Sequence, residues 1–238
     1  MTYLRNSDVR LDSYGQLLRA EQSPSERDFV RATALGKTRM IAWLVSNCNT
    51  RSHREQYVAD LRNYVKVDQF GGCAGNANYS YSCPRNPQIY GDWCSAIPFT
   101  SAYRFYIAFE NSACHDYVSE KFYQALDRLM VPIVLRKSDY LDIVPEGSYI
   151  AADQFRSPKH LAEYLHYLAS NPKEYLKYFE WTKRNSAAWK IQLMMEDAVC
   201  RMCRMLHENK TSETLDKDLW TNWDKHAACV PGFASQLL

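Results

Sequence analysis

The sequence predicts an α/β fold built on a parallel sheet flanked by helices, and three observations predict it. Short apolar runs alternate with amphipathic stretches from Met40 onward, the strand–helix–strand order occurs twice, and a Gly-, Asn-, Cys- and Pro-rich loop separates the two occurrences. With 46% hydrophobic content over 238 residues, the chain is long enough for one large domain, alone or with an appended helical tail.

Met40-Ile-Ala-Trp-Leu-Val45 reads as a buried strand. Arg54 to Tyr64 follows as a helix with Tyr57, Val58 and Leu61 on one face, and Val65-Lys-Val-Asp-Gln-Phe70 as the next strand. After the loop from Gly71 to Pro98 come a third strand, Tyr103 to Phe109, a helix from Val118 to Leu129, and a fourth strand, Val131 to Leu135. Three helical stretches follow Pro158: Lys159 to Ala169, Pro172 to Phe179 and Ala187 to Leu206. The last carries Ile191, Met194, Met195, Ala198, Val199 and Met202 at helical spacing, which reads as a packing face. Residues 208–238 read as an irregular tail that wraps back on the domain. In such a fold ligands sit beyond the carboxyl ends of the parallel strands, so the loops after Val45, Phe70 and Phe109 are where a site belongs.

Composition narrows the partners. A net charge of +2, with 29 basic residues scattered among 27 acidic ones, leaves no basic stripe for a nucleic-acid backbone. Eight cysteines (Cys48, Cys73, Cys83, Cys94, Cys114, Cys200, Cys203, Cys229) and the sequons at Asn78 and Asn209 fit a lumenal route with disulfides. Free buried thiols and zinc are the rival readings of the cysteines, although Cys200 and Cys203 form the sole C-x-x-C pair and lack a second pair to complete four ligands. No stretch approaches the ~18 consecutive apolar residues of a membrane span, and the residues after Met1 carry no apolar signal region. A lumenal protein would therefore need a targeting segment outside this chain.

The loop after the third strand concentrates the chemistry. It runs Glu110-Asn111-Ser112-Ala113-Cys114-His115-Asp116-Tyr117-Val118-Ser119-Glu120-Lys121. Asp116 or Ser119 can cap the following helix, and Glu120 in its first turn complements the helix dipole. Lys121 sits at the wrong end of that dipole, which costs ~0.3–1 kcal/mol unless an anion shares the site. A helix N-terminus after a parallel strand is a general anion-binding arrangement, so Lys121 reads as a phosphate ligand or an ordinary solvated lysine. Arg54 lies on the same sheet edge, with a surface arginine as the alternative.

These residues carry a resemblance. Tyr103-Arg-Phe-Tyr-Ile-Ala-Phe-Glu-Asn-Ser112 followed by Asp116-Tyr-Val-Ser-Glu-Lys121 closely resembles the donor-binding motif of the α-1,3/1,4-fucosyltransferases, glycosyltransferase family 10, approximately Y-K-F-x-L-x-F-E-N-S then D-Y-V-T-E-K. Segments around Tyr3 to Val9, Tyr14-Gly15, Trp43 to Asn47, Arg54 to Leu61, Val67-Asp68 with Gly72, Val131-Pro132 and Tyr178 to Trp181 match in the family's order. The resemblance implies the Rossmann-like, C-terminal half of a GT-B glycosyltransferase. Residues 1–36 would lead into the donor domain and 37–207 would form it with its C-terminal helices. The tail 208–238 would follow, with the acceptor domain and membrane anchor absent.

The resemblance further implies inverting transfer of L-fucose from GDP-fucose to an N-acetylglucosamine-containing N-glycan or other glycoconjugate, in the Golgi lumen. Arg54 and Lys121 would contact the diphosphate and stabilise the leaving group. Asn111, Tyr117 and Glu120 would line the nucleotide-sugar, and Ser112, Val118 and Ser119 would shape the pocket. The general base would lie in the acceptor domain; Glu110 reads instead as a strand-end residue held by local hydrogen bonds. No cofactor is implied, stimulation by Mn2+ or Mg2+ stays open, and Asp216-Lys-Asp218 matches a metal-binding D-x-D over three residues alone. Cys200 and Cys203 would be unpaired or re-paired, for instance with Cys229. Arg104 and Ser119 depart mildly from the pattern and Asn6 replaces an acidic residue, whereas Leu129 and Arg136 stand where the family has glycine, at an expected backbone cost of about 1 kcal/mol or more each. The alternative to an enzyme is a truncated or degenerate relative that at most binds GDP-fucose.

Overall fold

The computed structural model describes residues 3–5, 7–9, 14–74, 102–141, 143–188, 191–208, 225 and 227–238, with the side chains of 188–197 left aside. Five parallel strands form the central sheet in the order β3-β2-β4-β5-β6. They are β2 (Arg39–Leu44), β3 (Val67–Phe70), β4 (Tyr103–Ile107), β5 (Val131–Val134) and β6 (Ile150–Ala151). The helices are α1 (Pro24–Leu35), α2 (Arg54–Leu61), α3 (Glu120–Asp127), α4 (Pro158–Ser170), α5 (Pro172–Lys177) and α6 (Ile191–His207). The expected strand–helix–strand units are present, with ends shifted by a few residues.

Alternation along the strands assigns the two faces of the core. Ile41, Trp43, Phe105, Ile107 and Ile133 pack with Tyr57, Leu61, Leu161, Leu165 and Tyr175 from α2, α4 and α5. Ala42, Tyr106, Ala108 and Val134 point the other way and pack with Phe122, Tyr123 and Leu126 of α3. The helix after β2 therefore covers one face and the helix after β4 the opposite face, while β2 and β4 are neighbours. The gap outside their carboxyl ends is the switch point where an open α/β sheet offers a crevice.

The sequence reading placed neither α1 nor the edge strand β6, and two further features differ from its expectation. Gln16–Arg19 (β1) and Asn185–Ala188 (β7) pair antiparallel, so the stretch expected to open a helix at Ala187 is a strand and α6 starts at Ile191. Backbone pairing with β1 overrides the helix propensity of Ala187 and Ala188. On α6, Ala198 is buried but Val199, Met202 and Leu206 are exposed, so the expected apolar face is longer than the part that packs.

Leu129 explains how α3 ends. Its φ is 51°, its N–H donates to Leu126 O at 2.9 Å, and Met130 N–H donates to Ala125 O at 2.9 Å. That pair of bonds is a Schellman motif with Leu129 in the left-handed position that favours glycine. Arg136 carries no comparable strain, because its φ of −126° is ordinary extended backbone. The expected cost of replacing glycine thus falls on Leu129 alone.

Candidate functional site

Just beyond β4 come Ala108, Phe109 and Glu110, all buried at the switch point. The Glu110 carboxylate accepts hydrogen bonds from Ser119 N (2.7 Å), Ser119 Oγ (2.8 Å) and Lys121 Nζ (3.0 Å), bending the loop back on itself. It is the strand-end clamp read from the sequence. Ser119 occupies the N-cap position of α3, yet its hydroxyl is engaged by Glu110 and by Lys121 Nζ at 2.6 Å instead of capping the helix. Asp116 does not cap either; at φ 59° it pairs with Arg5, through Arg5 N (3.0 Å) and Nε (2.8 Å).

Lys121 also reaches Glu120 Oε1 at 3.2 Å, and its side chain is 18% exposed. Burial opposes its charge, but Glu110 and Glu120 outweigh burial and hold its pKa above the usual lysine value. It is neither an ordinary solvated lysine nor a neutral amine. Tyr117 stacks near Tyr3, with ring centroids 5.2 Å apart, and meets Tyr14 edge-on at 6.1 Å. Burial first, then Glu110, pushes the Tyr117 phenol well above its usual pKa, so it stays a hydroxyl donor. Val118 is buried, Ser112 and Asn111 are half-buried, and the Asn111 Oδ1 atom is buried without a hydrogen-bond partner.

Arg54 is 2% exposed, which overturns the surface-arginine alternative. Its Nη1 donates to Phe109 O and its Nη2 to Asn47 O at 3.3 Å, tying the loops after β2 and β4 together. Its Nε is buried without a partner. The structure brings Asn111, Ser112, Tyr117, Val118, Ser119, Glu120 and Lys121 onto one connection, with Arg54 beneath its start. Arg54 and Lys121 both feel the Glu110 carboxylate.

Sequence reasoning missed Ser52, which is fully buried, donates its hydroxyl to Glu110 O (2.8 Å) and its N–H to Asn111 O (3.0 Å). A small polar residue in a polar loop carries no signal for that role. The disulfides are Cys48–Cys73 and Cys114–Cys229 among the described residues. Cys229 is therefore not the partner of the α6 cysteines, and Cys200 and Cys203 are free and exposed. Cys114 and Cys229 are 4.0 Å apart at Cα, whereas the α6 pair points outward into solvent. Cys83, Cys94, both sequons and Asp216 to Asp218 lie outside the described residues. Among the described residues no group of three metal-ligating side chains comes together, and no helix is long and apolar enough to cross a membrane.

A family profile described as glycosyltransferase family 10 (fucosyltransferase) C-term matches residues 34–223, most of the chain. The chain belongs to glycosyltransferase family 10. Among its relatives in that family, Drosophila melanogaster glycoprotein 3-alpha-L-fucosyltransferase A is 40% identical over 79% of this chain and 34% of its own length. Drosophila alpha-(1,3)-fucosyltransferase C is 35% identical over 87% of this chain and 49% of its own length. The chain thus spans half or less of these family 10 enzymes. A crystal structure of an alpha1,3-fucosyltransferase with GDP-fucose superposes with a TM-score of 0.54 at 17% identity, over 80% of this chain and 54% of that one. It shares the α/β fold of this family 10 chain.

Proposed function

We propose that this chain supplies the GDP-fucose site of an inverting α-1,3-fucosyltransferase. The observation that carries the reading is the cluster of Glu110, Ser119 and Lys121 at the start of α3, at the switch point of a parallel sheet. As the fucose C1–O bond breaks, negative charge grows on the β-phosphate and positive character on the sugar. A lysine held charged at a helix N-terminus stabilises that state more than the ground state. Tyr117, Asn111 and Glu120 offer hydrogen-bonding groups to the nucleotide-sugar, and Ser112, Val118 and Ser119 form the wall. Arg54 acts from beneath, by fixing the two loops and adding positive potential.

Inversion requires one displacement by an acceptor hydroxyl with a carboxylate to take its proton. Glu110 is committed to Ser119 and Lys121, so the base is assigned to an acceptor-binding half. The acceptor is an N-acetylglucosamine-containing N-glycan or other glycoconjugate. The disulfides fit an oxidising, lumenal setting, and the Golgi lumen is the one assigned here. Any stimulation by Mn2+ or Mg2+ would act through the diphosphate. The burial of Arg54 favours a second reading, a relative that binds the donor without transferring it.

Calorimetric titration with GDP-fucose, GDP and UDP-galactose tests the proposal. Saturable binding of the guanine nucleotides, weakened in Lys121→Ala, is expected; equal affinity for UDP-galactose, or no binding by the folded chain, overturns it. Transfer measured with an acceptor-binding half supplied separates the enzyme from the binder.

A further inference from the structure

We infer that the strap Ala227–Leu238 is a positioning element for the donor loop, clasped to it by Cys114–Cys229; this rests on the donor-site reading above. The strap crosses three loops at the carboxyl edge of the sheet. On the loop after β4, His115 N–H donates to Ala227 O (2.6 Å), Val230 N–H donates to Ala113 O (2.8 Å), and the disulfide lies between these bonds. On the loop before α2, Gly232 N–H donates to Arg51 O (2.7 Å), Ala234 N–H to Ser52 O (2.9 Å), and His53 Nδ1 meets Ser235 Oγ at 3.0 Å. Beyond β5, the Arg136 guanidinium lies 5.4 Å over the Phe233 ring.

Ser52 joins strap and site directly, taking the Ala234 N–H on its carbonyl while giving its own N–H to Asn111 O and its hydroxyl to Glu110 O. Ala234 is fully buried and Phe233 and Leu237 pack against the main core, so the strap is anchored independently of the loop it holds. Residues 111–119 contain no helix or strand, and an unfastened loop of that kind would have to be ordered when ligand binds. The clasp orders it beforehand. Arg136, which stands where the family pattern has glycine, bonds to Asp139 and lays its guanidinium over the strap at Phe233.

The test compares the parent chain, the Cys114→Ser/Cys229→Ser double variant, Phe233→Ala, and Leu165→Ala as a core control on α4, away from the loop. GDP affinity is measured by titration and backbone mobility by amide hydrogen exchange. The double variant is expected to bind GDP at least ten-fold more weakly, about 1.4 kcal/mol. Its exchange should quicken about ten-fold at 111–119 while β2, β4 and β5 keep their protection. Phe233→Ala should move both readouts the same way by less, and Leu165→Ala should lower Tm without changing GDP affinity. Parental affinity in the double variant, or exchange quickened evenly over the sheet, overturns the inference. If the double variant does not fold, unchanged affinity and exchange in Phe233→Ala overturn it. If the parent binds no GDP, the donor-site reading fails, and exchange at 111–119 still decides whether the strap orders the loop.

Discussion

Lys121 Nζ lies 3.0 Å from Glu110 Oε2, joining the first turn of α3 to the start of the loop after β4 across the most specific sequence motif in the chain. The pair is mostly buried and is shared with Ser119 and Glu120, so it serves the loop's conformation as well as any anion placed above it.

Lys121→Ala should therefore do two things. It leaves a buried carboxylate oxygen with one partner fewer, which costs about 1–3 kcal/mol of unfolding free energy, and it removes the charge that the proposed donor site sets against the diphosphate. Urea unfolding and GDP titration read the two effects separately. Because Glu110 and Glu120 hold the lysine pKa above its usual value, the parent's advantage over Lys121→Ala in GDP affinity should persist from pH 9 to about pH 11, where an ordinary lysine becomes neutral. A drop over that range would mean the lysine is not held by these carboxylates.

Arg54→Lys tests the bridge beneath the site. A guanidinium reaches Phe109 O and Asn47 O at once, whereas an ammonium offers a point charge with no planar fork. Losing one charge-assisted bond in a fully buried position should cost about 1.5–3 kcal/mol, and the freed loops should weaken GDP binding as well. Unchanged stability in urea would show that the arginine is not a structural bridge.

Much of this arrangement was legible in the sequence because it depends on local order. The strand–helix–strand units, the loop after Phe109 and the clamp by Glu110 all sit within short stretches whose periodicity or motif is visible. Helix α1 was missed although its signal is local, since Ser23-Pro-Ser-Glu26 spells the capping box that the structure forms, with Ser23 N donating to Glu26 Oε2 at 2.7 Å. What was not legible depends on contacts between distant residues. Arg5 with Asp116, Cys114 with Cys229 and Ser52 with Ala234 are each set by tertiary geometry that no local pattern encodes. The pairing of β1 with β7 was hidden likewise, because the partner strands are 4 residues each and one is made largely of small residues.

Asp139 provides a pH signature. Burial raises its pKa to about 6, although Arg136 Nε and Nη2 lie 2.8 and 2.7 Å from its carboxylate. The folded chain then keeps a proton that the unfolded chain has already lost between about pH 4 and pH 6, so stability falls as pH rises through that window. Asp139→Asn removes this component. The parent's stability relative to the variant should decline by about 1–3 kcal/mol from pH 4 to pH 6 and level off above. Urea unfolding at several pH values measures it, and a parallel pair of curves would contradict the assignment.

Leu129 offers a mutation whose small effect is the informative result. In most buried or half-buried positions, replacing leucine by glycine is severe, since it removes apolar contacts and adds chain entropy. At Leu129 the backbone sits at φ 51° in the left-handed position of a Schellman motif, where a side chain costs about 1–2 kcal/mol that glycine does not incur. Relief of that cost offsets the loss of a partly buried side chain, so Leu129→Gly should change unfolding free energy by no more than about 1 kcal/mol. Leu126→Ala, three residues earlier on the same helix and fully buried, should lose about 2–5 kcal/mol. If Leu129→Gly proves as costly as Leu126→Ala, the left-handed conformation is not a source of strain here, and the glycine of the family pattern serves some purpose other than ending this helix.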